Sequence, residues 1–477
     1  AGTAGKWLDE TAVERRAVHV RTDTDLEFSD VPVRVQIDKA PSQSMKFYTA
    51  AGEELPCEVE NYNANGISTV WVRVPAVVAE GITGLWVYFG GKASSYAKED
   101  VWNDNYQLVE HFAAPAGNGD RRTDSTGKQT GTVTGAFKVS ERGGEQAATF
   151  ANSKIQYGSV GDDYDHISVS AVVSLTEKDL ADMNYQERAI VSKYYPGDPS
   201  GENTYLLGVN ANNQLRSYYG CMWWRSNKAE KYNYVNALPA ADGTPHLVTV
   251  TYDGFTVVTY IDGEVASEDT VFIESASFLN PDLPTVIGAY SGTDAGDLNG
   301  AFKGTLYEVQ IAGQRTTAQW ERFRADNYLG DAVTVGEAEK QGANTLSLTA
   351  DAAGKNGPCQ AGKQTVSGMV SQDAALTAIV GDQTFDLGVV QAGFFRAEVP
   401  VTGHGQQQVR LQARSATGTA TAVIAFVTED TKAPEAPELR SEAVSDGQQL
   451  TVQTGAQQGE KLTVQFYTNE NVVLNET

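Results

Sequence analysis

The stretch from residue 194 to residue 234 is the strongest candidate for binding chemistry in this sequence. It holds nine aromatic residues in 41, whereas aromatic residues make up 9% of the whole chain. Aromatic rings with a polar edge can stack on the faces of sugars or anchor a protein partner. The predicted ligand-binding residues are Tyr194, Tyr195, Tyr218, Tyr219, Trp223, Trp224, Tyr232 and Tyr234.

Part of this aromatic content would also suit a hydrophobic core. Several of these tyrosines could fill a β-sandwich or an interface between domains. Trp223 and Trp224 cannot both point inward from one regular strand, because successive side chains alternate between its faces. The stretch 221–234 is typical of a loop inserted between strands, and loops often carry binding residues. We interpret Cys221 as a buried free thiol rather than a reactive one.

Aspartate-rich segments suggest a second chemistry, the binding of calcium. Ca²⁺ takes six to eight oxygen ligands from carboxylates, backbone carbonyls and water. The candidate ligands are Asp120, Asp124, Asp163, Asp294 and Asp297, with Asp162 and Asp165 on either side of Asp163. No EF-hand spacing is present. Asp is also an ordinary turn former, so a reading of these loops without calcium stays open.

Carboxylates could also serve acid–base catalysis. A retaining glycosidase needs two carboxyl groups ~5–5.5 Å apart, and on a β-strand the pattern Glu-x-Asp-x-x-Glu can supply them. The nearest approach, Glu177-Lys-Asp179-Leu-Ala-Asp182, lacks the final Glu and lies in a polar segment that we predict to be a loop. No Gly-x-Ser-x-Gly elbow occurs. The five histidines are isolated in sequence, and we interpret His111 and His246 as structural. We therefore expect neither an enzyme nor a His-based metal site.

The charge balance argues against some classes of binding partner. The chain has 36 Lys+Arg against 61 Asp+Glu, a formal net charge of −25, which argues against nucleic acid or an anionic membrane as partner. No apolar run reaches the ~18–20 residues of a membrane span. Three cysteines, far apart in sequence, form no metal knuckle. The Ala-Gly start fits a mature exported protein and a trimmed sequence equally well.

Alternating apolar and polar residues predict β-strands almost throughout. Examples are VPVRVQI (31–37), HLVTVTY (246–252) and FTVVTYI (255–261). Asp-Gly pairs flank the last of these and predict tight hairpins, and therefore a meander of three strands. One short helix is predicted at 316–328, with a threonine at its N-terminus. The expected class is all-β, a chain of β-sandwiches.

Composition shifts divide the chain. The polar stretch 90–107 ends the first block of strands, 330–343 resembles a connector, and the prolines in 428–439 suggest a stiff spacer. The segment that follows holds only three strand-like runs, so we expect it to be completed by further chain or by a partner. The predicted domains are 1–107, 108–330, 338–430 and 434–477.

Three segments, in order, carry a resemblance to a known family. They are VEHFAAPAGNGDRRTDSTGKQTGTVTG (109–135), TPHLVTVTYDGFTVVTYIDGEVAS (244–267) and GAFKGTLYEVQIAGQRTTAQWERF (300–323). Together they resemble laminin-G-like, concanavalin-A-like jelly-roll domains, with the middle segment as the central meander. The chain departs from the family at Tyr307-Glu308, where an acidic pair is common. The resemblance implies a jelly-roll fold whose loops commonly supply calcium ligands.

The flanking regions carry further resemblances. MKFYTAAGEELPCEVENYNANGISTVWVRVPAV (45–77) and ITGLWVYFGG (82–91) resemble a family of exported β domains without assigned function. Members of that family often precede laminin-G-like modules, and some stand before channel subunits of the TolQ/ExbB type. Residues 343–430 resemble an immunoglobulin-like bacterial surface module, and the stretch from Asp430 resembles the start of another.

These observations predict a secreted, cell-surface or periplasmic protein of a prokaryote that binds a glycan or a protein through its jelly roll. The immunoglobulin-like modules would act as spacers. One alternative is a structural subunit of a surface filament or of a TolQ/ExbB-type envelope complex, with further modules or an envelope protein as partner. The other is a glycoside hydrolase.

Overall fold

The structure is a computed structural model. It describes residues 5–161, 166–183, 188–195, 202–222, 232–235, 238–253, 255–270, 283–292, 298–355, 357–429, 438–444, 447–453, 465–467 and 473–476. Within these ranges the chain is β almost throughout, with two α-helices, which confirms the all-β class. None of the helices in this part has the length and apolar character that crossing a membrane would require.

The N-terminal domain is a two-layer β-sandwich. The spans of its strands are β1 (Glu14–Thr22), β2 (Phe28–Asp38), β3 (Met45–Thr49), β4 (Glu54–Leu55), β5 (Cys57–Asn61), β6 (Ile67–Val77) and β7 (Gly81–Phe89). One sheet contains β1, β7, β3 and β4 in that order, and the other contains β2, β6 and β5. A 3-10 helix at Lys98–Val101 follows and packs beside β5.

The middle domain is built from sixteen described strands and two helices. Their spans are β8 (Tyr106–His111), β9 (Arg121–Thr123), β10 (Thr130–Thr134), β11 (Lys138–Arg142), β12 (Glu145–Phe150), β13 (Lys154–Gln156), β14 (Ile167–Ser174), α1 (Glu177–Asp182), β15 (Arg188–Lys193), β16 (Glu202–Val209), β17 (Leu215–Met222), β18 (Tyr232–Val235), β19 (His246–Tyr252), β20 (Thr256–Ile261), β21 (Glu264–Thr270), β22 (Val286–Ile287), β23 (Gly304–Ala312) and α2 (Ala318–Leu329).

Two eight-stranded sheets face each other across the core of this domain. The first has the order β18-β17-β16-β15-β22-β13-β10-β9, and the second has the order β11-β12-β23-β14-β19-β20-β21, with β8 paired to β23. The core between them is apolar and aromatic, because inward positions alternate with outward ones along each strand. The adjacent strands β19, β20 and β21 confirm the predicted meander, and Asp262 and Gly263 adopt the positive φ angles of its second turn.

Helix α2 lies between the N-terminal and middle domains. It begins after Thr317, whose side chain accepts a hydrogen bond from the backbone of Trp320 (3.1 Å). The ring of Trp320 packs 5.1 Å from Phe28 in the N-terminal core. One turn further along, the buried Arg324 donates a hydrogen bond to Ser170 on β14 (2.8 Å). The helix predicted at 316–328 therefore contacts both the jelly-roll sheet and the N-terminal core.

The segment after α2 joins the N-terminal sheet instead of running free. Its two short strands, β24 (Val333–Val335) and β25 (Glu339–Lys340), both pair with β1. Part of the predicted connector at 330–343 thus adds two short strands to the N-terminal sheet. The chain therefore contacts the N-terminal domain again before the third domain begins.

A third domain and two isolated hairpins complete the described chain. The domain has a three-stranded sheet, β26-β28-β31, and a five-stranded sheet, β27-β33-β32-β29-β30, around an apolar core. The hairpins are β34–β35 and β36–β37. The spans are β26 (Leu348–Asp351), β27 (Pro358–Gln360), β28 (Gly362–Val370), β29 (Ala374–Val380), β30 (Gln383–Val390), β31 (Gly393–Val401), β32 (Gly405–Ser415), β33 (Gly418–Glu429), β34 (Glu438–Val444), β35 (Gly447–Gln453), β36 (Gln465–Tyr467) and β37 (Val473–Glu476).

Candidate functional site

The predicted binding segment lies at one edge of the first jelly-roll sheet. Strands β16, β17 and β18 are consecutive there, and the backbone register sets Tyr218 opposite Tyr232 and Arg216 opposite Tyr234. Tyr219 is opposite Tyr205. The loop predicted at 221–234 is therefore wrong at both ends, which continue as strands. Trp223 and Trp224 lie outside the described residues.

The tyrosine side chains that the structure does describe are mostly buried. Tyr205 is fully buried, and its hydroxyl bonds the carbonyl of Val160 (3.1 Å) and the hydroxyl of Thr285 (2.8 Å). Tyr194 is 6% exposed, and its ring lies 5.7 Å from Tyr290. Tyr195 is half-buried. The alternative of a core role is confirmed for Tyr205, and among the predicted ligands with described side chains Tyr195 keeps more accessible surface than Tyr194.

The predicted calcium ligands do not come together in the described residues. Asp124 is 1% exposed, and its carboxylate accepts hydrogen bonds from the backbones of Val109, Thr126 and Gln129 and from the Thr126 hydroxyl. This carboxylate caps a loop onto β8, which argues against it as a calcium ligand because its oxygens already have donors. The exposed Asp120 accepts the backbone N–H of Gly117 (2.7 Å). Asp162, Asp163, Asp165, Asp294 and Asp297 lie outside the described residues.

The carboxylates weighed for glycosidase chemistry belong to a helix, so the predicted loop is wrong. Thr176 caps α1, and its side chain and backbone bond the carboxylate of Asp179, a capping box. Lys178 and Asp182 form an exposed ion pair one turn apart. Local helix contacts therefore account for Asp179 and Asp182.

The structure assembles a polar cluster that the sequence did not reveal. Glu58 and Glu60 on β5 meet His111 at the end of β8 and Glu308 on β23, and we call these four residues the junction cluster. Their side chains are at most 7% exposed. A hydrogen bond joins His111 Nδ1 to Glu308, while Glu60 Oε2 lies 3.7 Å from Nδ1 and Glu58 Oε2 lies 3.6 Å from Nε2.

Aromatic and polar side chains hold the carboxylates of the junction cluster in place. Trp71 Nε1 donates to Glu60 Oε2, and Trp102 Nε1 donates to Glu58 Oε2, both at 2.8 Å. Gln310 Nε2 donates to Glu308 Oε1 (2.9 Å). Trp71 also stacks on the His111 ring at 5.5 Å. Indole rings therefore line the junction cluster, and these hydrogen bonds fix the orientations of its carboxylates.

The electrostatics of the cluster follow from these contacts. Burial alone would lower the pKa of His111, but the carboxylates of Glu308 and Glu60 raise it well above its ordinary value. Burial raises the pKa of Glu308 to about 7, although His111 opposes the shift. Hydrogen bonds and the charge of His111 keep the pKa of Glu58 below its ordinary value despite burial. The imidazole is thus held by several negative groups at once.

Sequence reasoning missed the cluster because its members lie far apart along the chain. His111 and Glu308 are register partners on β8 and β23, but nothing in the sequence states that pairing. One local signal was present. Glu58 and Glu60 are two apart on a strand, a spacing that puts both side chains on one face. His111 is isolated in sequence, as stated above, but strand pairing and domain packing surround it with carboxylates in space.

Family comparisons identify the middle of the chain. Residues 142–320 match the family described as the concanavalin A-like lectin/glucanases superfamily. The middle domain is a concanavalin-A-like jelly roll. Residues 42–113 match a domain of unknown function (DUF2341), so the predicted order of these two domains is confirmed. Among curated proteins, none matches the chain.

Several solved structures are similar to the chain at low identity. Domain 4 of AbnA, a GH43 extracellular arabinanase from Geobacillus stearothermophilus solved with arabinotriose, is 16% identical with a TM-score of 0.32, over 46% of this chain and 98% of that one. A Trypanosoma rangeli sialidase is 14% identical with a TM-score of 0.35, and the match covers 56% of this chain and 42% of the sialidase. The sialyllactose-bound CBM40 of Ruminococcus gnavus IT-sialidase is 11% identical with a TM-score of 0.26, over 34% and 84%.

Proposed function

We propose that this chain is an exported binding protein, without catalytic activity, whose jelly roll recognises a glycan or a protein ligand. The observation that carries the proposal is the pairing of β17 with β18 at one edge of a sheet, which sets Tyr218 opposite Tyr232 and Arg216 opposite Tyr234. Residues 223–231, with Trp223 and Trp224, connect these two strands in the sequence. Aromatic residues on a connection and on the edge strands beside it are typical of a binding surface.

The packing of the first two domains supports this role. Helix α2 contacts the N-terminal core through Trp320 and Phe323, and it contacts the jelly roll through Glu321 and Arg324. The two domains therefore share a buried boundary, and the jelly roll is presented in one orientation. A fixed orientation lowers the entropic cost of binding to a surface.

The test is binding of the full chain to an array of glycans, with and without a chelator of divalent ions. We expect the double substitution Trp223→Ala with Trp224→Ala to weaken binding at least tenfold, as truncation of an aromatic anchor does. The matched control is Phe255→Ala, because Phe255 is 59% exposed at the turn between β19 and β20 in the other sheet. It should leave binding unchanged.

Two results would count against the proposal. Absence of binding to every glycan, with or without chelator, would remove the glycan form of it. Binding that the double tryptophan variant retains in full would show that the aromatic segment is not the contact surface. Loss of binding only in the chelator would instead support the predicted calcium requirement.

A further inference from the structure

The junction cluster brings three potential metal ligands from two domains to one buried point. Glu60 belongs to β5 of the N-terminal domain, whereas His111 and Glu308 belong to the paired jelly-roll strands β8 and β23. One ligand atom of each lies within 4.8 Å of the other two. The carboxylates of Glu308 and Glu60 both approach His111 Nδ1, so an ion bound here would take the place of the hydrogen bond between Nδ1 and Glu308.

The number of carboxylates is the second observation. Those of Glu58, Glu60 and Glu308 all face one imidazole in a buried site. Arg34 is ion-paired with Glu145 (3.1 Å) and also interacts electrostatically with Glu60, and Lys98 approaches Glu58 to 4.0 Å from an exposed position. A divalent cation bound among the carboxylates would offset negative charge that is gathered in this buried site.

The other ring nitrogen is the third observation. His111 Nε2 is buried and has no hydrogen-bond partner among the described residues, and it faces Glu58 Oε2 at 3.6 Å. Metal-bound histidines usually direct their second N–H at a carboxylate, which fixes the tautomer and the ring. Glu58 is itself held by Trp102 and Ser125, both at 2.8 Å. The surroundings of the imidazole therefore resemble those of a metal ligand on both sides.

The donor set selects the ion. One imidazole nitrogen with carboxylate oxygens suits Zn²⁺, which is commonly four-coordinate. Ca²⁺ would need six to eight oxygens. Three protein ligands leave one zinc position for water or for a second carboxylate oxygen. We propose that Glu60, His111 and Glu308 bind one zinc ion that joins the N-terminal domain to the jelly roll, with Glu58 orienting the imidazole.

The test uses the full chain without a purification tag, loaded with zinc chloride and then desalted. We expect one zinc per chain by elemental analysis, and a melting temperature that a chelator lowers and added zinc restores. Glu60→Gln keeps the side-chain volume and an oxygen acceptor for Trp71, and it should weaken zinc affinity at least a hundredfold. Glu58→Gln leaves all three ligands in place and should weaken it ten- to hundredfold.

The matched control is Glu110→Gln. Glu110 is also a buried carboxylate and precedes His111 on β8, but its partners are Arg122 and Tyr157. This variant should keep its zinc even where it loses stability. If Glu60→Gln does not fold, Glu58→Gln against Glu110→Gln decides the question.

Two outcomes overturn the proposal. In the first, the wild-type chain holds no zinc after loading, and neither zinc nor chelator changes its melting temperature. The cluster is then closed by a shared proton. In the second, both Glu60→Gln and Glu58→Gln keep zinc as tightly as the wild type, which would place the ion elsewhere in the chain.

Discussion

Two buried histidines occupy two different junctions of the N-terminal domain, and their surroundings are opposite. His19, on β1, is 2% exposed where this domain meets the third domain, and its Nε2 lies 3.1 Å from the hydroxyl of Thr349 on β26. Burial and the nearby Lys355 lower the pKa of His19 to about 4. His111 is 9% exposed at the junction with the jelly roll, and carboxylates raise its pKa well above the ordinary value.

The contrast shows that burial does not by itself decide the charge of a histidine. At the His19 junction the partner is a neutral hydroxyl, and both burial and the positive charge of Lys355 lower the pKa, so the neutral imidazole is favoured. At the His111 junction burial also favours the neutral imidazole, but three nearby carboxylates favour the protonated form more strongly. One junction is therefore held by a neutral contact and the other by charge.

The largest expected difference between the junctions comes from removing each imidazole. His111→Phe leaves the carboxylates of the junction cluster buried without their partner, which should cost about 3–5 kcal/mol of unfolding free energy. His19→Leu removes one neutral hydrogen bond and should cost about 1–2 kcal/mol. Urea denaturation of the full chain at pH 7 measures both. Equal losses would contradict the distinction between the two junctions.

Acid should act on the His19 junction. The pKa of His19 is about 4 in the folded protein and ~6.5 when unfolded, so the unfolded chain binds the proton more readily. Stability is fully present above pH ~6.5 and is lost as the pH falls toward 4, by about 3 kcal/mol in all. His19→Asn, which can still bond Thr349, should lack this part of the pH dependence. A variant whose stability follows the wild type between pH 7 and pH 4 would exclude His19 as the source.

The hydrogen bond of Trp71 tests how firmly the carboxylates are held. Trp71→Phe removes the N–H that donates to Glu60 (2.8 Å) but keeps an aromatic ring to stack on His111. A hydrogen bond to a charged group is worth about 1.5–3 kcal/mol, and we expect a loss in that range in the same denaturation experiment. A loss below ~0.5 kcal/mol would contradict a stabilising role for this hydrogen bond.

The smallest expected effect is at Thr349. Thr349→Val removes the hydroxyl that bonds His19 and keeps the shape, so it should cost about 1 kcal/mol. Combined with His19→Leu it should add little further, because both substitutions remove the same hydrogen bond. Full additivity in this double-mutant cycle would show that the two side chains do not interact.

Local pattern predicted many of the strands and helix α2, but it missed helix α1, which was predicted to be a loop. Period-two alternation predicted strands such as those at 246–252 and 255–261. The Asp-Gly turns predicted that these strands pair, because a two-residue turn reverses the chain and brings the next strand alongside the previous one. The helix after Thr317 was predictable from its N-cap. The domain boundaries at 107, 330 and 338 remain predictions. Strands β24 and β25 lie on either side of residue 338 in the sequence, and both pair with β1 of the N-terminal domain.

The sequence by itself determined the β class, the order of the two matched domains and the aromatic segment as a binding candidate, since each depends on neighbouring residues or on ordered motifs. Only the tertiary structure decided where single side chains act. It showed that the Asp124 carboxylate accepts hydrogen bonds from the loop around it, and that Tyr205 lies in the core. It also gathered Glu58, Glu60, His111 and Glu308 from three strands. Long-range strand pairing and domain packing create such sites, and neither is written in the spacing of residues along the chain.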